Sequence, residues 1–112
     1  MDWKATFKLE IQLAVDAREH GNEGQARVCA RRAAGAVVKE YFQRRGLPVT
    51  NVSAYEIILD LLKEPGLPDA GYQAAEYLVM RVTKEFKLPI DVDLIEQARI
   101  IAECLLPTLD DV

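Results

Sequence analysis

The sequence is poor in the residues that carry most enzyme and metal chemistry. It has one histidine and two cysteines among 112 residues. A di-iron bundle needs a Glu-x-x-His motif on each of two helices, which a single histidine cannot supply. Cys29 and Cys104 lie in apolar helical patterns without nearby histidines, which predicts buried, reduced thiols and no disulfide framework or zinc site. We therefore expect no metal ion and no other cofactor.

The sequence also lacks the short motifs of common catalytic and nucleotide-binding sites. It has no P-loop, no dinucleotide-binding glycine motif, no His-Glu-x-x-His and no Gly-x-Ser-x-Gly. The single histidine, His20, stands directly before Gly21, where a helix is expected to end. A cation there stabilises the negative end of the helix dipole. His20 is therefore predicted to cap a helix rather than to catalyse a reaction.

Long apolar runs and an excess of positive charge are both missing. No run approaches the roughly 20 apolar residues that cross a bilayer, so we expect a cytoplasmic protein without a membrane partner. The formal net charge is -4, so the chain as a whole lacks the basic field that attracts DNA or RNA nonspecifically. A local patch of arginines stays an open alternative.

What the sequence does contain is a series of amphipathic helix patterns, of which the longest covers residues 24–46. At about 100° per residue, its small and apolar side chains fall on one stripe, with Arg32 and Lys39 roughly opposite. The stripe consists of Ala26, Ala30, Ala33, Val37 and Tyr41. Small residues let a neighbouring helix approach closely, so this segment is predicted to be a core helix with one solvated face.

Four further helices are predicted from their start signals. Asp2 caps a helix before residues 24–46, and Ser53 opens a short helix with Glu56 three residues later. A fourth helix is expected from about Ala70 to Phe86, and Asp93 caps the fifth. The sequence thus predicts an all-α fold, an antiparallel bundle of four main helices plus one short helix. Residues 1–112 form a single domain.

The fourth predicted helix has apolar residues on two sides. Its expected core stripe consists of Tyr72, Ala75, Val79, Val82 and Phe86. Tyr77, Leu78 and Arg81 then occupy the other side, which one small bundle cannot easily cover. A large apolar patch on a soluble protein usually marks a contact surface. We therefore predict a homodimer that uses Tyr77, Leu78 and Arg81.

Three charged residues of the first two helices form a candidate ligand site. Glu10 falls within the apolar stripe of the first helix, so its carboxylate needs a partner. Arg27 and Arg31 are one turn apart on the flank of the second helix. One interpretation is an ion pair between Glu10 and either arginine. The other is a phosphate-binding arginine pair oriented by Glu10, because guanidinium groups match phosphate oxygens.

The first two helices also carry a pattern known from one protein family. Trp3, Glu10-Ile11 and Ala14 are followed by a small polar turn and by the segment ARVCARRAAGAVVKEYFQRRG. This pattern resembles the HEPN superfamily, with its aromatic-led first helix and its alanine-rich second helix ending in bulky residues, a basic residue and glycine. The resemblance implies a bundle that dimerises and that, in some members, acts beside a separate nucleotidyltransferase in toxin–antitoxin or nucleotide-handling systems.

The sequence departs from the catalytic members of that superfamily in one respect. HEPN ribonucleases carry an arginine followed within a few residues by a histidine on a late helix, whereas neither Arg81 nor Arg99 is followed by histidine here. The resemblance therefore implies a noncatalytic binding or interaction module, with a nucleotidyltransferase, a nucleotide or RNA as partner. Two alternatives stay open: an unrelated helical adaptor, and an RNA- or nucleotide-processing enzyme that works without histidine.

Overall fold

A computed structural model describes residues 2–81 and 91–107 of the chain, and within them it contains five helices and no strand. The helices are α1 (Trp3–Glu19), α2 (Glu23–Arg44), α3 (Ala54–Leu61), α4 (Asp69–Leu78) and α5 (Leu94–Leu105). The predicted all-α class is confirmed, while the antiparallel order of the helices stays a prediction. No helix in the described ranges has both the length and the apolar character needed to span a bilayer.

The central element is α2, which packs against α1, α3 and α5. Its predicted stripe is confirmed, because Ala26, Ala30, Ala33 and Val37 are completely buried and Tyr41 is half-buried. On the opposite side Arg32 and Lys39 are exposed. Packing α1 and α5 against a helix of small side chains brings the three backbones close together, and the core forms around this contact.

Local start and stop signals determine most of the helix ends. The Asp2 carboxylate accepts the Ala5 amide at 2.7 Å, and the Asp93 carboxylate accepts the Ile95 amide at 3.0 Å. His20 is the C-cap residue of α1, as predicted, and Gly21 adopts a φ of 76° that an L side chain rarely tolerates. Asp69 does not cap α4, because it lies inside the helix and Pro68 takes the cap position.

The prediction for α4 is wrong in two respects. The helix ends at Leu78 instead of continuing to Phe86, and residues 82–90 lie outside the described part. Leu78 is completely buried, whereas Tyr72 is 43% exposed. The physical reason is that α4 packs against both α5 and α3, so its buried face is centred on Ala74, Ala75 and Leu78. The prediction that Leu78 faces outward is therefore wrong, because Leu78 lies in the core.

The contact that matters most for the site is the close crossing of α2 and α3. A Cβ atom placed on Gly35 would lie only 2.8 Å from the Cβ of Ala54. Glycine therefore allows the first residue of α3 to lie directly against the backbone of α2. As a result, the start of α3 lies next to the solvated side of α2 and forms a wall above it.

Candidate anion-binding site

A groove of about 570 Å³ lies between the solvated face of α2, one side of α1 and the start of α3. Thr6 and Glu10 of α1 form one wall, and the segment 52–55 forms the other. The remaining lining comes from α2 and consists of Val28, Arg31, Arg32, Gly35, Ala36 and Lys39. Gly35 and Ala54, the closely packed residues of α2 and α3, both belong to this lining.

Positive groups converge on this groove although the protein is acidic overall. Arg31, Arg32 and Lys39 line it, together with the first residues of α3. The first amides of a helix have no partner within the helix, and they carry the positive end of its dipole. The Arg81 guanidinium carbon lies 4.6 Å from the ring centre of Tyr55, which also lines the groove. An anion in the groove would meet these positive groups and, on the α1 side, the carboxylate of Glu10.

Arg31 holds the end of α4 while it lines the groove. Its Nε donates to the Leu78 carbonyl at 2.6 Å, and its Nη2 donates to the Met80 carbonyl at 2.9 Å. Burial lowers the pKa of Arg31, and the positive charges of Arg27 and Arg81 lower it further. The guanidinium therefore lies in surroundings that disfavour its charge. A bound anion would compensate for this.

Glu10 lies in the same groove but does not form the predicted ion pair. Among the described residues neither Arg27 nor Arg31 bridges to it, and its Oε2 atom is buried without a hydrogen-bond partner. Leaving a buried acceptor unmatched costs about 1 to 3 kcal/mol. The pKa of the neighbouring Cys29 thiol is raised, first by burial and in part by the negative charge of Glu10. The predicted ion pair with Arg27 or Arg31 is absent, because Arg31 binds the carbonyls at the end of α4 and Arg27 lies beside Arg18 and Glu23.

Arg27 belongs to a different place on the surface, a pocket of about 310 Å³ that includes Arg18, Glu23 and Asp93. There Arg18 bridges two carboxylates, Glu23 at 2.8 Å and Asp93 at 2.9 Å. The hydrogen bond to Glu23 is the largest cause of the raised pKa of Arg18. Because carboxylates already neutralise this pocket, it is a salt-bridge network that joins α1, α2 and α5. Of the three predicted ligand residues, only Glu10 and Arg31 share the groove.

The three predicted interface residues do not share one outward surface. Leu78 is completely buried, Tyr77 is half-buried against the core, and Arg81 is exposed with its guanidinium beside Tyr55. Arg81 therefore lies beside the groove, which sequence reasoning did not foresee. Sequence reasoning also missed Arg32, Lys39 and Tyr55 as ligand candidates. The only sequence signal was the placement of Arg32 and Lys39 on the solvated side of α2.

The groove does not include the histidine of the chain. The one histidine, His20, is at the end of α1, where its Nδ1 lies 2.7 Å from the Asp16 carbonyl oxygen. Within residues 2–81 and 91–107, no group of three or more histidine, cysteine or acidic side chains could hold a metal ion. The groove offers the cationic side chains of α2, the carboxylate of Glu10 and the phenol ring of Tyr55.

Comparisons of the chain with protein-family models, curated proteins and solved structures gave no match.

Proposed function

We propose that the protein is a noncatalytic helical module that binds a phosphate-bearing ligand, a nucleotide or RNA, in the groove between α1, α2 and α3. The observation that carries this proposal is the convergence of Arg31, Arg32 and Lys39 with the N-terminus of α3 on one cavity. Helix N-termini, arginine and lysine are all well-established protein partners of phosphate oxygens. In a chain of net charge -4, positive groups gathered in one cavity make a localised site for an anion.

The groups of the groove suit different parts of such a ligand. Arg32 and Lys39 are exposed and lie two turns apart on α2, so their charged ends are accessible to phosphate oxygens. Tyr55 and the exposed Val28 offer apolar contact surface for a base or a sugar. Ser53 caps α3 by accepting the Glu56 amide at 3.5 Å, which leaves the earlier amides of the helix for the ligand.

The binding test compares two double variants, each of which removes two positive charges. Arg32→Ala with Lys39→Ala removes two groove cations, whereas Lys63→Ala with Arg99→Ala removes two exposed cations outside the groove. We expect the groove variant to bind fluorescently labelled nucleoside monophosphates about tenfold more weakly or worse, measured by anisotropy. Added salt should weaken binding by the parent protein. Equal losses in both double variants would contradict the proposal.

The absence of catalysis is part of the same proposal. Proton transfer in RNA cleavage needs a group that titrates near neutral pH, and the only histidine is at the end of α1. We expect no cleavage of mixed-sequence RNA, with or without a chelator. Cleavage that copurifies with the protein and disappears in Arg81→Ala or Arg99→Ala would instead support the enzymatic alternative.

A second candidate function, self-association, has support from α1. Leu9 and Leu13 are 46% and 43% exposed, although both are large apolar residues, and they lie one turn apart. Such pairs are typical anchors for a partner helix. We expect light scattering to show a dimer that dissociates when both leucines are replaced by aspartate. Tyr72→Asp, at 43% exposure on α4, is the control that should keep the dimer.

The resemblance to the HEPN superfamily extends this proposal. Under this resemblance the dimer is a HEPN-like module whose protein partner is a nucleotidyltransferase. An unrelated helical adaptor would form the dimer without that partner. Both cysteines are free, which fits a reducing compartment such as the cytoplasm. Copurification of the protein with a coexpressed nucleotidyltransferase from the same gene neighbourhood tests the partnership. A clean separation of the two would favour the adaptor.

A further inference from the structure

The two long helices contribute opposite kinds of polar group to the groove. Thr6 and Glu10 lie one turn apart on α1 and both line the groove, and their side-chain oxygens can accept hydrogen bonds. The α2 side contributes Arg32 and Lys39, whose side chains can only donate. One cavity therefore combines acceptors from α1 with cationic donors from α2.

Glu10 and Arg32 lie near the same buried thiol, that of Cys29, without neutralising each other. Burial is the main reason that the pKa of this thiol is raised, while the charge of Glu10 raises the pKa further and the charge of Arg32 lowers it. Among residues 2–81 and 91–107, no ion pair joins Glu10 to Arg32. Both charges are therefore available to a ligand in the groove.

The Glu10 carboxylate has an unused hydrogen-bond acceptor. Its Oε2 atom is buried and has no hydrogen-bond partner, although the residue as a whole is only half-buried. The terminal torsion of a glutamate side chain is broad, so its two oxygens exchange places at little cost. A donor that enters the groove can therefore bind this carboxylate and recover part of the free energy that an unmatched buried acceptor costs.

The size and the remaining lining of the groove suit a small molecule. Its volume of about 570 Å³ lies within the range of ligand pockets, roughly 300 to 1,000 Å³. Val28, Ala36 and Tyr55 add apolar surface to the lining. A second phosphate on the ligand would be repelled by Glu10, whereas an ammonium group would be attracted. The lining therefore favours a small ligand with one anionic and one cationic group.

We infer that the ligand of the groove is a small phosphate ester that also carries an ammonium group, and that Glu10 selects for the amine. This inference rests on the proposed function and specifies the second half of its ligand. The phosphate binds Arg32 and Lys39 on α2, and the ammonium group donates to the Glu10 carboxylate and the Thr6 hydroxyl on α1. The selection follows because a hydrogen bond between two charged groups is stronger than a neutral one.

The test compares two phosphate esters of nearly equal size. O-Phosphoethanolamine carries the ammonium group, and propyl phosphate has a methyl group in its place. We expect isothermal titration calorimetry at neutral pH to show about tenfold tighter binding of the amine or more, the effect of one hydrogen bond to a charged group. Arg32→Ala with Lys39→Ala should weaken the binding of both esters by a similar factor, because both bind through the phosphate.

Matched variants of α1 test the role of Glu10. Glu10→Gln keeps the size of the side chain but removes its negative charge, and Glu19→Gln removes the same charge from an exposed position of α1 outside the groove. Glu10→Gln should reduce the preference for the amine to about threefold or less and leave propyl phosphate binding within about twofold, whereas Glu19→Gln should keep the full preference. Glu10→Asp retains the charge and should retain part of the preference, which separates a loss of charge from a loss of fold.

The same chemical group occurs in soluble esters and in the head group of phosphatidylethanolamine, and cosedimentation with vesicles distinguishes these sources. Phosphatidylcholine vesicles with and without phosphatidylethanolamine are compared with the free ester. Binding of the free ester assigns a soluble ligand, and binding confined to vesicles with phosphatidylethanolamine assigns a lipid, provided that Glu10→Gln abolishes it. Binding to neither overturns the inference.

The outcomes distinguish this inference from the proposed function. If the two esters bind equally well through Arg32 and Lys39, the inference is overturned while the proposed phosphate site stands. If the binding of neither ester depends on Arg32 and Lys39, both are overturned. A preference for the amine that survives in Glu10→Gln also overturns the inference, because the selection then comes from another residue.

Discussion

Replacing Gly35 by alanine tests the crossing of α2 and α3 on which the groove depends. The new Cβ would lie 2.8 Å from the Cβ and 3.2 Å from the Cα of Ala54, so the start of α3 must move. Overpacking of this kind costs about 1 to 3 kcal/mol, and exchanging glycine for alanine within a helix returns roughly 1 kcal/mol. We expect Gly35→Ala to lower the free energy of unfolding by about 1 kcal/mol, measured by urea denaturation with far-UV circular dichroism.

Gly24 provides the matched control, because it lies in the same helix but in open surroundings. A Cβ there would meet only the Asn22 side chain, at 3.9 Å. Gly24→Ala should therefore stabilise the protein slightly, and the two variants should differ by about 2 kcal/mol. The double variant Gly35→Ala with Ala54→Gly should recover much of the loss, since it removes the clashing methyl group. If Gly35→Ala proves as stable as Gly24→Ala, the close crossing is wrong.

Three further predictions concern stability. Arg31→Met should destabilise the fold by about 1 to 3 kcal/mol, because it removes two hydrogen bonds to the end of α4, whereas Arg27→Met should cost clearly less in the same urea assay. Leu78→Asp should cost about 3 kcal/mol or more, since it buries an unpaired carboxylate, and a folded monomer of unchanged stability would contradict its core position. The pKa of Asp93 is lowered in the folded protein despite burial, through its hydrogen bond with Arg18. The resulting stability is present above its ordinary pKa and is lost as the pH falls through the acidic range. Asp93→Asn should flatten this part of the stability–pH curve, and an unchanged slope would refute the assignment.

Features that depend on neighbouring residues in the chain could be predicted from the sequence. Such features rest on contacts within a few residues. They are the apolar stripe of α2, the caps at Asp2 and Asp93, and the end of α1 at His20. Helical periodicity and capping chemistry are sufficient there, because they act over one or two turns. The same reasoning placed Arg32 on the solvated face of α2.

Features that depend on distant parts of the chain were beyond that reasoning. The end of α4 and the burial of Leu78 follow from the packing of α4 against two other helices. Arg31 binds carbonyls 47 and 49 residues further along the chain, which no local pattern indicates. The groove itself results from the contact between Gly35 and Ala54. Periodicity identifies which face of a helix is polar, but it does not show which other element lies across that face.

The two hydrogen bonds of Arg31 connect the end of α4 to the groove through one side chain. A single guanidinium binds the Leu78 and Met80 carbonyls, and the same residue lines the cavity. Lysine could not replace it without loss, because one ammonium group lacks the planar fork that reaches two carbonyls at once. If the proposed anion binds beside Arg31, it should change the opening free energy of the last turn of α4, and amide hydrogen exchange in that turn should report occupancy of the groove from outside it.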